Sequence, residues 1–266
     1  MVRHCQFGRG SVRIASSRPH RSRGADAGTM TEQDAQDAVA RRVQAVVDGI
    51  QRAAERVKRR SDSIRLVAAT KTVPAERVRD GIAAGLRILG ENRMQEALGK
   101  MALLQDAPVE WHFIGQLQRR KVRDAIGRFA LIHSVDSIDL AQEIDRRAAA
   151  AGVTQAVLLE LNIGGEASKA GFVSEELMAG LELLSQLPHL RIRGLMAIPP
   201  PTDQAEQARP YFRRLRELRD TIAAKGIASV EMNELSMGMS HDYEVAIEEG
   251  ATLVRVGTAI FGARHV

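Results

Sequence analysis

Apolar positions in the chain follow two periods. Val39, Val43, Val46, Ile50 and Val57 recur at helical spacing with acids and arginines between them. That spacing predicts an amphipathic helix, opened by the capping pattern Thr31-x-x-Asp34. From residue 62 short apolar runs take over, at 64–70, 87–89, 110–114, 130–133, 155–161, 191–196, 230–235 and 252–256. Each gap between runs is long enough for one helix. Ala156-Val157-Leu158-Leu159 is apolar on both faces, as a buried parallel strand must be.

Punctuation within the gaps agrees. Pro74 stands at a first-turn position, Val78 and Ile82 share a face, and Gly85 is placed to cap. Leu140, Ile144 and Ala148 form a four-residue series closed by Gly152. Phe212, Leu215, Leu218 and Ile222 form another, closed by Gly226. Ser240 is read as the start of a last helix, with Asp242 and Glu244 in its first turn and Gly250 at its end. Eight βα units and an extra N-terminal helix predict an α/β fold, a single (β/α)8 barrel of the TIM type. A doubly wound open sheet is the structural alternative. The absence of Gly-x-Gly-x-x-Gly after any apolar run weakens its dinucleotide-binding form.

Composition narrows the picture. The chain has 266 residues and a formal net charge of +5, and residues 1–30 hold six arginines against one acid, Asp26. That segment accounts for the whole excess, so the body is neutral and a nucleic-acid partner is not expected. Residues 1–29 read as a disordered basic extension or a mis-assigned start, with Met30 the first residue of the domain at 30–266. Arg-rich, acid-poor composition also resembles a transit segment. No run of about 18 apolar residues occurs, so no membrane span is expected. The single cysteine, Cys5, excludes a disulfide framework and a cysteine-based zinc site; it fits a reducing, cytoplasmic compartment. The histidines show no metal-ligand spacing, so none is assigned to a metal and His112 and His133 are read as packing residues. No apolar dimer surface is legible, so a monomer is expected.

In such a barrel chemistry gathers at the C-terminal ends of the strands. The first run leads into Lys71, whose amine can form a Schiff base when desolvated and otherwise snorkels to solvent. Ser236 and the backbone around Gly238 and Met239 follow the seventh run; Arg255, Gly257 and Thr258 end the eighth. Small residues there let N–H groups approach a phosphate. Arg255 shares a strand face with Gly257 and needs an acceptor, either a core carboxylate or an anionic or ring-nitrogen group of a ligand. A lysine facing a phosphate cradle suggests a phosphorylated aldehyde or ketone. Ser236 and Ser240 show no His/Asp arrangement, which argues against a serine hydrolase. Arg119-Arg120-Lys121 is first a solvated face.

The motifs then resemble one family. Ala69-Thr70-Lys71-Thr72, Gly90-Glu91-Asn92 and His112-Phe113-Ile114-Gly115-x-Leu117-Gln118 are similar to those of the pyridoxal phosphate homeostasis proteins. The likeness continues through Asn162-Ile163, Ser168-Lys169-x-Gly171 and Gly194-Leu195-Met196-Ala197-Ile198-Pro199. It ends with Leu235-Ser236-Met237-Gly238-Met239-Ser240-x-Asp242 and Val254-Arg255-Val256-Gly257-Thr258. Arg119-Arg120-Lys121 departs from the Ser-Asn-Lys often found there in the family.

The resemblance implies a fold-type III barrel like the N-terminal domain of alanine racemase, binding pyridoxal 5′-phosphate (PLP) covalently on Lys71. It further implies that Ser236, Gly257 and Thr258 hold the phosphate with backbone near Met239, that Arg255 faces the pyridine nitrogen, and that Asn92 lies beside the cofactor. An arginine at the ring nitrogen donates rather than accepts, which weakens the electron sink. A PLP carrier with little or no turnover, passing cofactor to apo-enzymes, is therefore expected. The alternatives are a minor racemase, with Tyr243 or His112 as second base, and a barrel enzyme joining Lys71 to a sugar phosphate.

Overall fold

The eight apolar runs form eight parallel strands in the computed structural model, which describes residues 32–166 and 169–263. They are β1 (Arg65–Ala69), β2 (Ile88–Glu91), β3 (Glu110–Phe113), β4 (Leu131–Val135), β5 (Gln155–Leu161), β6 (Leu190–Ala197), β7 (Val230–Ser236) and β8 (Leu253–Val256). Neighbours pair in chain order and β8 pairs back onto β1, so the sheet is a closed barrel and not the open alternative. A helix follows every strand: α2 (Ala75–Ala83), α3 (Met94–Leu103), α4 (Val122–Ala125), α5 (Ile138–Ala151), α6 (Ser174–Ser185), α7 (Arg209–Ala223), α8 (Tyr243–Glu248) and α9 (Thr258–Phe261). The additional helix α1 (Glu32–Arg56) precedes them. The basic segment 1–29 and the Thr31 cap lie outside the described residues. No described helix is long and apolar enough to cross a membrane.

Strand alternation sorts the side chains into two apolar layers. Val67, Ile88, Ile114, Leu131, Leu158, Met196 and Leu253 form one cluster, the filling of the barrel. Residues from the opposite strand faces, such as Leu89, Ile132 and Leu159, form a second cluster with α-helical side chains such as Ile144 and Phe212. Helix α1 joins this layer through Val39, Val43, Val46 and Ile50, as its spacing predicts. Val57 departs from that series and is 37% exposed, because the helix ends at Arg56 and Lys58 turns the chain with φ 56°. A buried aliphatic side chain contributes roughly 1.5–3 kcal/mol, against about 0.2–0.5 for an exposed pair one helical turn apart, so packing holds α1 in place. Arg59 adds direction by donating to Ile247 O and Ala251 O, at 2.7 and 2.9 Å, at the end of α8.

Gly152 ends α5 in the left-handed conformation, as expected from its position (φ 67°). The start of α8 differs. Asp242 Oδ1 accepts from Met239 N, which folds 239–242 into a turn and delays the helix to Tyr243. Ser240 is thereby left outside the helix and free to serve the barrel mouth.

The ladder between β6 and β7 is irregular: Ile192 pairs with Val230, yet Gly194 pairs with Glu234. The backbones come so close that a Cβ on Gly194 would lie 1.9 Å from Glu234 O. Gly99 offers the contrast, an exposed position within α3 where a Cβ meets nothing within 4 Å. In urea unfolding, Gly194→Ala is expected to cost about 2–4 kcal/mol and Gly99→Ala to add about 0.5–1 kcal/mol. Equal stability of the two variants would contradict this account of the ladder.

Candidate functional site

β1 presents Arg65, Val67 and Ala69 on alternate positions, and Lys71 continues that series past the strand end. Val67 pairs with Arg255 across the closing β1–β8 ladder, so Lys71 and the end of β8 are brought together by register alone. Lys71 occupies a tight turn in which Val73 N donates to Thr70 O at 3.0 Å. Thr72 has φ 62°, a left-handed conformation usually left to glycine or asparagine. The residues around the turn line a cavity of about 850 Å³ at the C-terminal mouth, together with Met239, Ser240, Arg255, Gly257 and Thr258.

The structure thus gathers five of the sequence-predicted residues, Lys71, Met239, Arg255, Gly257 and Thr258, on one cavity wall. It places Ser236 and Asn92 elsewhere. Asn92 follows β2 with its backbone pressed on Gly115, and its Oδ1 is buried without a partner among the described residues. Ser236 is fully buried inside the barrel. Sequence reasoning missed Ser240 by treating it as a helix start. Its Oγ accepts from Gly257 N at 3.3 Å and from Ala259 N at 3.2 Å, so two backbone amides converge on it at the cavity. A Cβ on Gly257 would lie 3.0 Å from Ala69 O; the missing side chain lets β8 close on β1 here.

Arg255 is buried and donates to Ser236 Oγ and, at 3.0 Å, to Ala197 O. Burial lowers its pKa to about 10 against the opposing fields of Glu160 and Asp242, so it stays cationic at neutral pH. Neutral oxygens, rather than the core carboxylate weighed from the sequence, therefore hold this guanidinium. Below it lies a hydrogen-bonded chain. His133 Nδ1 is 2.8 Å from Ser236 Oγ, and His133 Nε2 is 2.9 Å from His112 Nδ1.

Arg255 can only donate, so Ser236 Oγ accepts from it. The directions of the two histidine bonds are set by the ring tautomers. His112 Nε2 lies 3.7 Å from Glu110. Both rings are buried, and desolvation holds His112 down at about 3 and His133 well below its usual value. Sequence reading expected no serine–histidine pairing, and here one exists. Ser236 is nevertheless no nucleophile, because its oxygen is loaded by Arg255 and hidden from the cavity. The two side chains considered as second bases also stand apart. His112 lies in this interior chain, and neither it nor Tyr243 lines the Lys71 cavity. The Tyr243 hydroxyl abuts Gly49 of α1. No group of three or more potential metal ligands occurs among the described residues.

An amine, a guanidinium and two hydroxyls lining one cavity, with the Gly257 and Ala259 amides turned onto Ser240 Oγ beside them, suit a small anionic ligand carrying a carbonyl. That donor set, with the close approach at Gly257, fits a phosphorylated aldehyde such as PLP.

Comparison with known proteins agrees. The profile of the alanine racemase N-terminal domain matches residues 43–265. The pyridoxal phosphate homeostasis protein of Aquifex aeolicus is 48% identical over 223 residues, covering 84% of this chain and 97% of that one. Its counterpart in Pseudomonas aeruginosa is 46% identical over 226 residues, covering 85% and 96%. PipY of Synechococcus elongatus, solved with PLP bound, superimposes with a TM-score of 0.74 at 38% identity, covering 84% of this chain and all of that one.

The neutral histidines make stability depend on pH. Between about 6.5 and 3 the unfolded chain takes up protons that folded His112 refuses, so its contribution is complete above 6.5 and falls as pH falls. From pH 7.5 to 5.5, wild type is expected to lose about 1–1.5 kcal/mol more unfolding free energy than His112→Gln. Equal losses in urea titrations would show that His112 is not held neutral.

Proposed function

The chain belongs to the pyridoxal phosphate homeostasis proteins, built on the alanine racemase N-terminal barrel, and from that premise we propose that it holds PLP covalently on Lys71. The observation that carries this reading is one cavity wall shared by Lys71, Arg255 and the amide pair at Ser240. When bound, PLP supplies an aldehyde carbon with which an amine condenses, releasing water, and which a second amine can reclaim.

This chain's residues divide the rest. Ser240, Gly257 and Thr258 hold the phosphate, the first by its hydroxyl and Gly257 through its backbone amide. Backbone near Met239, in the same cavity lining, contributes to that hold. Arg255 faces the ring nitrogen and is itself oriented by Ser236 rather than by a carboxylate. A guanidinium cannot accept a proton, so Arg255 supplies none of the ring protonation that drives amino-acid chemistry. Neither side chain considered as second base lines the cavity, which supports holding and release over racemisation. The barrel acts as a cytoplasmic monomer, keeps reactive aldehyde bound and passes PLP to apo-enzymes.

Borohydride reduction of protein equilibrated with PLP, followed by peptide mapping, checks the anchor. One modified peptide containing Lys71 is expected in wild type and none in Lys71→Ala. Modification confined to another lysine would overturn the assignment.

A further inference from the structure

Both peptide neighbours of Lys71 are tied to one buried charged cluster on α3 and β2. Lys100, on α3, is almost fully buried and donates from Nζ to Glu91 Oε1 at 2.7 Å, to Glu96 Oε1 at 2.6 Å and to the carbonyl of Thr70. The Thr70 hydroxyl donates to the same Glu91 oxygen at 2.6 Å. On the other side of Lys71, Thr72 N donates to Glu96 Oε1. The carbonyl before Lys71 and the amide two bonds beyond it thus end on the same lysine–glutamate pair.

The cluster's chemistry is one-sided. Lys100 has all three ammonium protons engaged, so it is no rival amine for an aldehyde. Glu91 is wholly buried, and burial pushes its carboxyl up while Lys100 and Thr70 pull it down. Burying a lysine and a glutamate here costs desolvation that a purely apolar α3–β2 contact would avoid. The turn it holds is also costly, since Thr72 sits at φ 62° with a β-branched side chain. A strained turn persists only where its surroundings over-determine it, and here those surroundings converge on the peptide groups flanking Lys71.

We propose that Lys100, with Glu91 and Glu96, is a positioning cluster that fixes the 70–73 turn and thereby aims Lys71 at the ligand carbonyl. The inference rests on the reading of Lys71 as the anchoring amine. The cluster does not line the cavity, so its effect is confined to the part of binding that uses Lys71.

Two ligands separate the roles: PLP, which carries the aldehyde, and pyridoxine 5′-phosphate, which lacks it and cannot bond to Lys71. Lys100→Met is expected to weaken PLP about tenfold, while pyridoxine phosphate stays within about twofold. Because Lys100→Met leaves the buried Glu91 without its cation and can unfold, the half-buried Glu96 supplies a second pair of variants. Glu96→Ala is expected to weaken PLP about three- to tenfold, and Glu96→Gln, whose amide oxygen still accepts from Thr72 N, to stay within about twofold of wild type. Wild-type PLP affinity in Glu96→Ala, or equal loss of both ligands in either cluster variant, would overturn the inference. Wild type that binds PLP no better than pyridoxine phosphate and gives no borohydride-stable product would refute the anchoring role of Lys71, and the inference with it.

Discussion

Everything at the barrel mouth depends on the pairing of the first strand with the last. The register that sets Val67 against Arg255 places Lys71 and Gly257, each further along its own strand's inward series, at the same rim. Neither residue reaches the other through the intervening chain, nearly two hundred residues long. Closure of the barrel does it, and closure is a consequence of eight parallel strands each backed by a helix. Gly257 matters here for what it lacks: any side chain would press on Ala69 O and hold the two strands apart.

A second constraint follows from putting a permanent cation inside an apolar barrel. Arg255 has no ion pair among the described residues and depends on Ser236 and the Ala197 carbonyl for its hydrogen bonds. Ser236 Oγ in turn meets His133 Nδ1, and His133 Nε2 meets His112 Nδ1. The interior chain thus supplies the neutral partners of a buried guanidinium whose neighbouring carboxylates, Glu160 and Asp242, act on it without forming an ion pair. Replacing it by a salt bridge would have satisfied the charge and, in the same stroke, left less of it for a ligand.

The fold was legible because hydrophobic period is a local property. Eight apolar runs and their Gly and Pro punctuation place the strands close to where they lie, and chain order then dictates the barrel. That Lys71, Arg255, Gly257 and Thr258 gather at one cavity was legible for the same reason, since they are polar or small residues at strand ends. Ser236 does not line the cavity and Ser240 does, and that distinction is three-dimensional. One points into the barrel from a strand; the other is released from α8 by the Met239–Asp242 turn. The His112–His133 chain could not be read either, since it joins two strands to β7 and β8 across the interior. Its only trace in the sequence is that each histidine falls at an inward position near a strand end. The Lys100 cluster left still less, because a lysine on an amphipathic helix looks solvated until its helix is packed.

The central claim is that one cavity wall anchors PLP by its carbonyl and its phosphate at once. A crystal structure of the full chain grown with PLP tests it most directly. The account predicts continuous density from Lys71 Nζ to the aldehyde carbon, the ring nitrogen within hydrogen-bond distance of Arg255, and the phosphate on Ser240 Oγ and Gly257 N. Density joined to another lysine, or the phosphate seated away from Ser240 and Gly257, would contradict it.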